Sequence, residues 1–197
     1  VVSDHDLSRI PVTGPMIVVA NHPHGIMDGL LVGSLLHRVR DDFKIIINEA
    51  ASMPGLEDRL LFVSIFGSER EKAKKNIQVM REAVEWLQAG HVVMVFPAGE
   101  ISAIRNFNEK MALDNTWNTN MIRLSMRAKA PILPLFIVGQ NDAVFLKLGL
   151  IHPLFRTLQI GRVTNQLRNR TVRMRVSQLC SCKTLEFIKS DIERVNF

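Results

Sequence analysis

Met16 to Arg38 reads MIVVANHPHGIMDGLLVGSLLHR, and the change of pattern inside this stretch decides the fold. Met16 to Asn21 is apolar at every position but the last, as in a strand covered on both faces. Asp28 to Arg38 instead reads as a helix with an apolar face through Leu31, Leu35 and Val39. Between them, Pro23 cannot donate a backbone hydrogen bond, Gly25 permits an unusual turn and Gly29 permits close packing. A strand turning through a short polar loop into a helix is the repeating unit of α/β folds. The strand end is where such folds expose reactive side chains.

The same alternation continues outward. Phe43 to Asn48 (FKIIIN), Leu60 to Phe66 (LLFVSIF) and His91 to Phe96 are strands by composition. Glu69 to Gln88 is the clearest helix, with Ala73, Ile77, Met80, Val84 and Leu87 forming one stripe and Gly90 ending it. A helix is expected over Asn118 to Lys129, a strand over Ile132 to Val138, a half-exposed strand over Thr171 to Ser177, and a closing helix over Leu185 to Val195. Arg105 to Trp117 and Gln140 to Arg162 read as long, partly ordered loops. The expected fold is a single α/β domain over residues 1–197, a mainly parallel mixed sheet flanked by helices.

Its 197 residues suffice for one domain with a real core, and 47% hydrophobic and 22% charged residues are ordinary for a globular chain. The longest apolar stretch, Ala130 to Val138, holds two prolines and falls well short of a membrane span. Val1 and Val2 lead straight into charged residues, with no signal peptide; the missing initiator Met leads us to expect a truncated N-terminus. The net charge of +6 is unevenly spread: residues 1–114 hold 12 Lys/Arg and 15 Asp/Glu, residues 115–197 hold 13 and 4. A basic half attracts anionic headgroups, acidic proteins or nucleic acid, or simply solubilises the surface. Cys180 and Cys182 are spaced unsuitably for a disulfide and are too few for a zinc site.

Asn21 to Gly29 (NHPHGIMDG) carries the chemistry. A carboxylate a few residues from a histidine can hold one ring nitrogen's proton, leaving the other nitrogen to take a proton from a hydroxyl. One reading is therefore a His22–Asp28 dyad. A second makes His22, His24 and Asp28 metal ligands of a hydrolase. A third is a helix N-cap aspartate beside two incidental histidines. The metal reading needs further ligands, and His37, His91 and His152 sit in no ligand motif. The chain has no G-x-S-x-G elbow, so a base here would activate the acceptor substrate directly. The second constellation, VFPAGEIS at 95–102, breaks after a strand at Pro97 and Gly99. It offers backbone N–H groups to an anion, with Glu100 and Ser102 adding a carboxylate and a hydroxyl; it also reads as a plain strand-to-helix turn.

In order, NHPHGIMD (21–28), FPAGEIS (96–102) and PILPLFIVG (131–139) resemble the motifs of the glycerophospholipid acyltransferase superfamily. HPHGIMDG, FGSEREKAKKN, FPAGEIS, GQNDAVF and HPLFRT together are most similar to its hemolysin-like branch, which includes lyso-ornithine-lipid acyltransferases. The resemblance implies a glycerol-phosphate-acyltransferase-like fold with His22 as general base and Asp28 orienting it. It implies an acyl thioester donor, acyl-CoA or acyl-carrier protein, and no cofactor or metal. The acceptor would be a lyso-lipid; Arg70, Pro97, Gly99, Glu100 and Ser102 would form the substrate site. It further implies peripheral contact with an anionic membrane, on its cytoplasmic face, and no nucleic acid partner. The docking patch is sought among Met53, Leu56, Leu60, Phe145, Leu146 and Leu148.

This chain departs from the superfamily's pattern. The His22–Asp28 spacing is one residue longer, and His24 is the competing base. Ala98 replaces a Glu, and Ile101 replaces an Arg thought to grip the acceptor's phosphate. Ile cannot make charge-assisted bonds, so glycerol 3-phosphate is expected to be a poor acceptor.

Overall fold

The computed structural model describes residues 1–51, 55–168, 170–186, 190 and 195. Its centre is a six-stranded sheet in the order β3-β2-β4-β1-β5-β6. The strands are β1 (Met16–Ala20), β2 (Phe43–Asn48), β3 (Leu60–Val63), β4 (Val92–Val95), β5 (Ile132–Ile137) and β6 (Met174–Val176). All pairings are parallel except β5 with β6. The α/β class expected from the sequence is thus present.

Successive residues of each strand enter opposite layers, as the two-residue pleat requires. Met16, Val18 and Ala20 pack with Val32, Leu35 and Leu36 of α2 (Ile26–His37). Ile17 and Val19 pack with Ala83 and Leu87 of α3 (Glu69–Gln88) and with Met121, Ile122 and Leu124 of α4 (Asn120–Ala128). Every residue of β1 is buried, which is why that strand reads as unbroken apolar sequence. Before it, α1 (Asp4–Leu7) is a single turn capped by Ser3.

Several expectations are corrected. Gln140 to Arg162 is no loop: it holds α5 (Ala143–Ile151) and most of α6 (Pro153–Leu167), a helical hairpin. α5 (AVFLKLGLI) is apolar nearly all round, so it has no stripe to recognise, yet Asp142 caps it by accepting from Phe145 N at 2.9 Å. His152 caps α6 and Pro153 opens it. The hairpin has its own small core of Ile104, Phe145, Leu146 and Val163. Arg105 to Trp117 is irregular, as expected, apart from a bridge between Ala103 and Leu113.

The third strand ends at Val63 rather than Phe66, because the N–H groups of Ile65 and Phe66 donate to Glu49 Oε1 instead of to the ladder, each at 3.0 Å. The stripe of α3 is buried only toward its C-terminal end. Ala73 and Ile77 are exposed. The strand expected over Thr171 to Ser177 contracts to β6, and the closing helix is α7 (Cys182–Glu186); its expected extension to Val195 lies largely outside the described residues. Both cysteines are free thiols.

Candidate active site

Parallel strands point their C-terminal ends the same way, so the segments after β1, β2, β3 and β4 gather at one edge of the sheet. Because Val19 is in register with Val95, His22 after β1 meets Phe96 after β4. Their rings stack with centroids 4.3 Å apart. The approach is anchored by Asn21, whose side-chain amide donates to Ile137 O at 2.9 Å and accepts from Ile137 N at 2.7 Å. This ties the start of the loop to neighbouring β5.

α2 begins at Ile26, two residues before the expected start, with Gly25 as its N-cap at φ 70°. A side chain at 25 would be strained by that φ and would meet Ile101 Cδ1 at 2.7 Å, so glycine is required twice over. Asp28 therefore lies in the first turn, not at the cap, where the helix dipole favours a carboxylate. It is fully buried. Its Oδ2 accepts from His24 N at 2.8 Å and lies 3.1 Å from His22 Nδ1. The histidine contact has ion-pair distance without the alignment of a straight hydrogen bond, a common state of such pairs before substrate arrives. Oδ1 of Asp28 has no hydrogen-bond partner among the described residues.

His22 lines a cavity of about 680 Å³. Much of the wall is apolar, including Ile45, Ile47, Val63, Met80, Phe96, Ile101 and Leu124. His24 is absent from the wall; it is buried, with its ring against Gly139, where an added Cβ would lie 2.9 Å from Nε2. Among the described residues no cluster of three or more His, Cys, Asp or Glu side chains could hold a metal ion, so His22, His24 and Asp28 do not form the alternative metal site.

The other expected site residues divide. Pro97, Gly99 and Glu100 line the cavity. Gly99 sits at φ 72° with open space around its missing side chain, and its N–H is taken up by Phe96 O at 3.0 Å rather than facing an anion. Ser102 is buried off the wall: its N–H donates to His22 O at 2.9 Å and its hydroxyl donates to Asp114 Oδ1. Arg70 is exposed in the first turn of α3 and does not line the cavity.

Sequence reasoning missed Asp114. Its Oδ1 accepts from His22 N at 3.2 Å as well as from Ser102, and its Oδ2 accepts from Trp117 Nε1 at 2.8 Å. One carboxylate thus ties the backbone of the first motif loop, at His22, to the Ser102 side chain of the second. It lies in an irregular segment with no periodic pattern, so no local signal marks it. Arg156, Thr157 and Ile160 of α6 also reach the cavity wall, from a segment read as a loop.

The structure thus places a His–Asp contact at a strand end, opening on a largely apolar cavity in a mainly parallel α/β fold. Comparison with known proteins gives the family. The sequence model of the Acyltransferase family matches residues 1–138, and the chain belongs to that family, within the glycerophospholipid acyltransferase superfamily. An uncharacterized protein of Mycobacterium tuberculosis is 26% identical over 138 residues, covering 69% of this chain and 37% of that one. The lyso-glycine lipid O-acyltransferase of Bacteroides thetaiotaomicron is 28% identical over 145 residues, covering 73% of this chain and 50% of that protein. The chain thus spans about a third to a half of the length of these curated relatives. The crystal structure of the 1-acyl-sn-glycerophosphate acyltransferase PlsC of Thermotoga maritima shares the fold, with a TM-score of 0.54 and 21% identity over all of this chain and 67% of that one.

Proposed function

We propose that the chain transfers a fatty acyl group from an acyl thioester, acyl-CoA or acyl-carrier protein, to the hydroxyl of a lyso-lipid. The observation that carries this reading is the His22–Asp28 contact at the wall of an apolar cavity large enough for an acyl chain. His22 takes the acceptor's proton while the acceptor oxygen attacks the thioester carbonyl. The C–O bond forms, the C–S bond breaks, and the departing sulfur recovers the proton from the imidazolium. Asp28 fixes the ring tautomer and stabilises the imidazolium. The name of the Bacteroides relative supports a lyso-lipid acceptor. With Ile101 in the wall, glycerol 3-phosphate is the weaker candidate.

No helix among the described residues is long and apolar enough to cross a membrane. Peripheral docking on an anionic bilayer, at its cytoplasmic face, is the proposed route to a lipid acceptor. The α5–α6 hairpin suits this: Ile151, Leu154, Phe155 and Leu158 are exposed, while Thr157 and Ile160 of the same helix line the cavity. Exposed Lys147, Arg168 and Arg170 supply matching charge. Of the patch expected from the sequence, Leu60, Phe145 and Leu146 are core, Leu56 and Leu148 are half-buried, and Met53 lies outside the described residues.

The test is a panel of lyso-lipids in anionic vesicles with acyl-CoA and acyl-carrier-protein donors, read by mass spectrometry. His22→Ala should lower transfer about a thousandfold and His24→Ala far less. A dead His24→Ala beside an active His22→Ala would reverse the assignment. Leu158→Glu should weaken vesicle binding severalfold while sparing turnover of detergent-dispersed acceptor; unchanged vesicle binding would remove the hairpin from the docking surface.

A further inference from the structure

Arg156 reaches the cavity from α6 and is the only Lys or Arg among the described residues of its wall. Its side chain is 20% exposed, and the carboxylate facing it, Glu100, lies 3.9 Å from Nη2 and is itself 62% exposed. That is the outer limit of an ion pair, too long for a hydrogen bond. Among the described residues it is the one polar contact Arg156 makes. A mostly buried guanidinium whose donor fork is unfilled favours an anion strongly.

Gly149 explains how the side chain gets there. A Cβ at 149 would lie 2.5 Å from Arg156 Cδ and 2.6 Å from Cγ. α5 therefore lacks a side chain where the arginine stem crosses it, although glycine disfavours a helix interior.

We infer that Arg156 is the anion-binding residue of this cavity and that its ligand is a singly charged carboxylate on the acceptor's headgroup. Carboxylate and phosphate both match the guanidinium fork. Glu100, close by, repels an anion in proportion to its charge, which disfavours a dianionic phosphomonoester. A singly charged phosphodiester is distinguished by calorimetric titration with a lyso-phosphodiester lipid, whose tighter binding than the carboxylic acid would overturn the assignment to a carboxylate. The acceptor is singled out because the same cavity presents His22, the group proposed to deprotonate it. The inference rests on the acyl-transfer reading for the identity of the ligand, but the anion site is testable without turnover.

The experiment is calorimetric titration with N-dodecanoylglycine and with its methyl ester, both below their micelle concentrations. The acid should bind wild-type protein at least about tenfold more tightly than the ester. Arg156→Ala should abolish that preference and Arg156→Lys should keep part of it. Gly149→Ala should leave the melting temperature unchanged or higher yet lose most of the preference, which a general loss of fold would not produce. Equal affinity for acid and ester in the wild type, or a preference that survives Arg156→Ala, overturns the proposal. So does a transfer assay in which Arg156→Ala raises the KM of the thioester donor and leaves that of the acceptor unchanged. If the acid preference behaves as expected but no acyl transfer occurs with any acceptor, the anion site stands and the acyltransferase reading fails.

Discussion

At the N-terminal ends of the strands, Arg40 is buried and almost completely bonded. It grips Asp42 through Nε at 2.7 Å and Nη2 at 2.6 Å, and donates to Gly14 O at 2.8 Å and Gly90 O at 2.9 Å. His91 Nδ1 meets Asp42 as well, at 2.9 Å. At the C-terminal ends, Asp28 is buried more deeply, yet one oxygen has no partner among the described residues and its histidine is poorly aligned. The same residue types, Arg or His with Asp, are saturated at one end and left short of partners at the other. A saturated network rigidifies the turns that start β1, β2 and β4. An unsaturated one holds free energy that a substrate can release, which is the usual tension between stability and activity.

Substitutions at the two ends should separate these roles. The largest effect is expected from Asp28→Asn: activity falls about a hundred- to a thousandfold because the imidazole loses its orienting charge. Its thermal stability should hold or rise, since an underbonded buried charge is removed. A marked drop in melting temperature would show that Asp28 is as structural as Asp42. Next, Arg40→Ala should destabilise the fold by about 3 kcal/mol, by denaturant titration, because Asp42 and the carbonyls of Pro11, Gly14 and Gly90 lose their partner. The folded fraction should keep its kcat; a lost kcat at retained fold would break the division between the ends.

The smallest effect is an acid limb. The Arg40 guanidinium, and then His91, hold the Asp42 carboxyl down from 3.8 to about 2. A depressed carboxylate contributes stability above its unfolded value. That contribution shrinks as pH falls below 3.8 and is gone below about 2. Comparing pH-dependent unfolding of wild type and Asp42→Asn should therefore show a shallower loss for the variant between those values. Identical slopes would place the acid sensitivity elsewhere, with Glu49 as the next group to test: its hydrogen bonds from Ser64, Phe66 and Ile65 also lower its pKa.

Much of this molecule is legible in the chain itself. The apolar runs at Met16, Phe43 and Ile132 mark central strands; β1 is buried at every residue, because a strand covered on both faces has nowhere to put a polar side chain, whereas β2 carries Lys44 and β5 leaves Phe136 exposed. The helix from Glu69 is bounded by Ser68 and Glu71 in a reciprocal cap and by Gly90 beyond its end, all local signals. His22 and Asp28 were legible because strand end, turn and helix start lie within one short segment. Tertiary structure alone decided that His24 lies off the cavity wall, that Ser102 is buried behind it, that Asp114 accepts from His22 N, and that Arg156, within HPLFRT, reaches the wall. Periodicity and capping act over a few residues, whereas these approaches join segments tens of residues apart. Their distances depend on how the helices settle on the sheet, which no local pattern encodes.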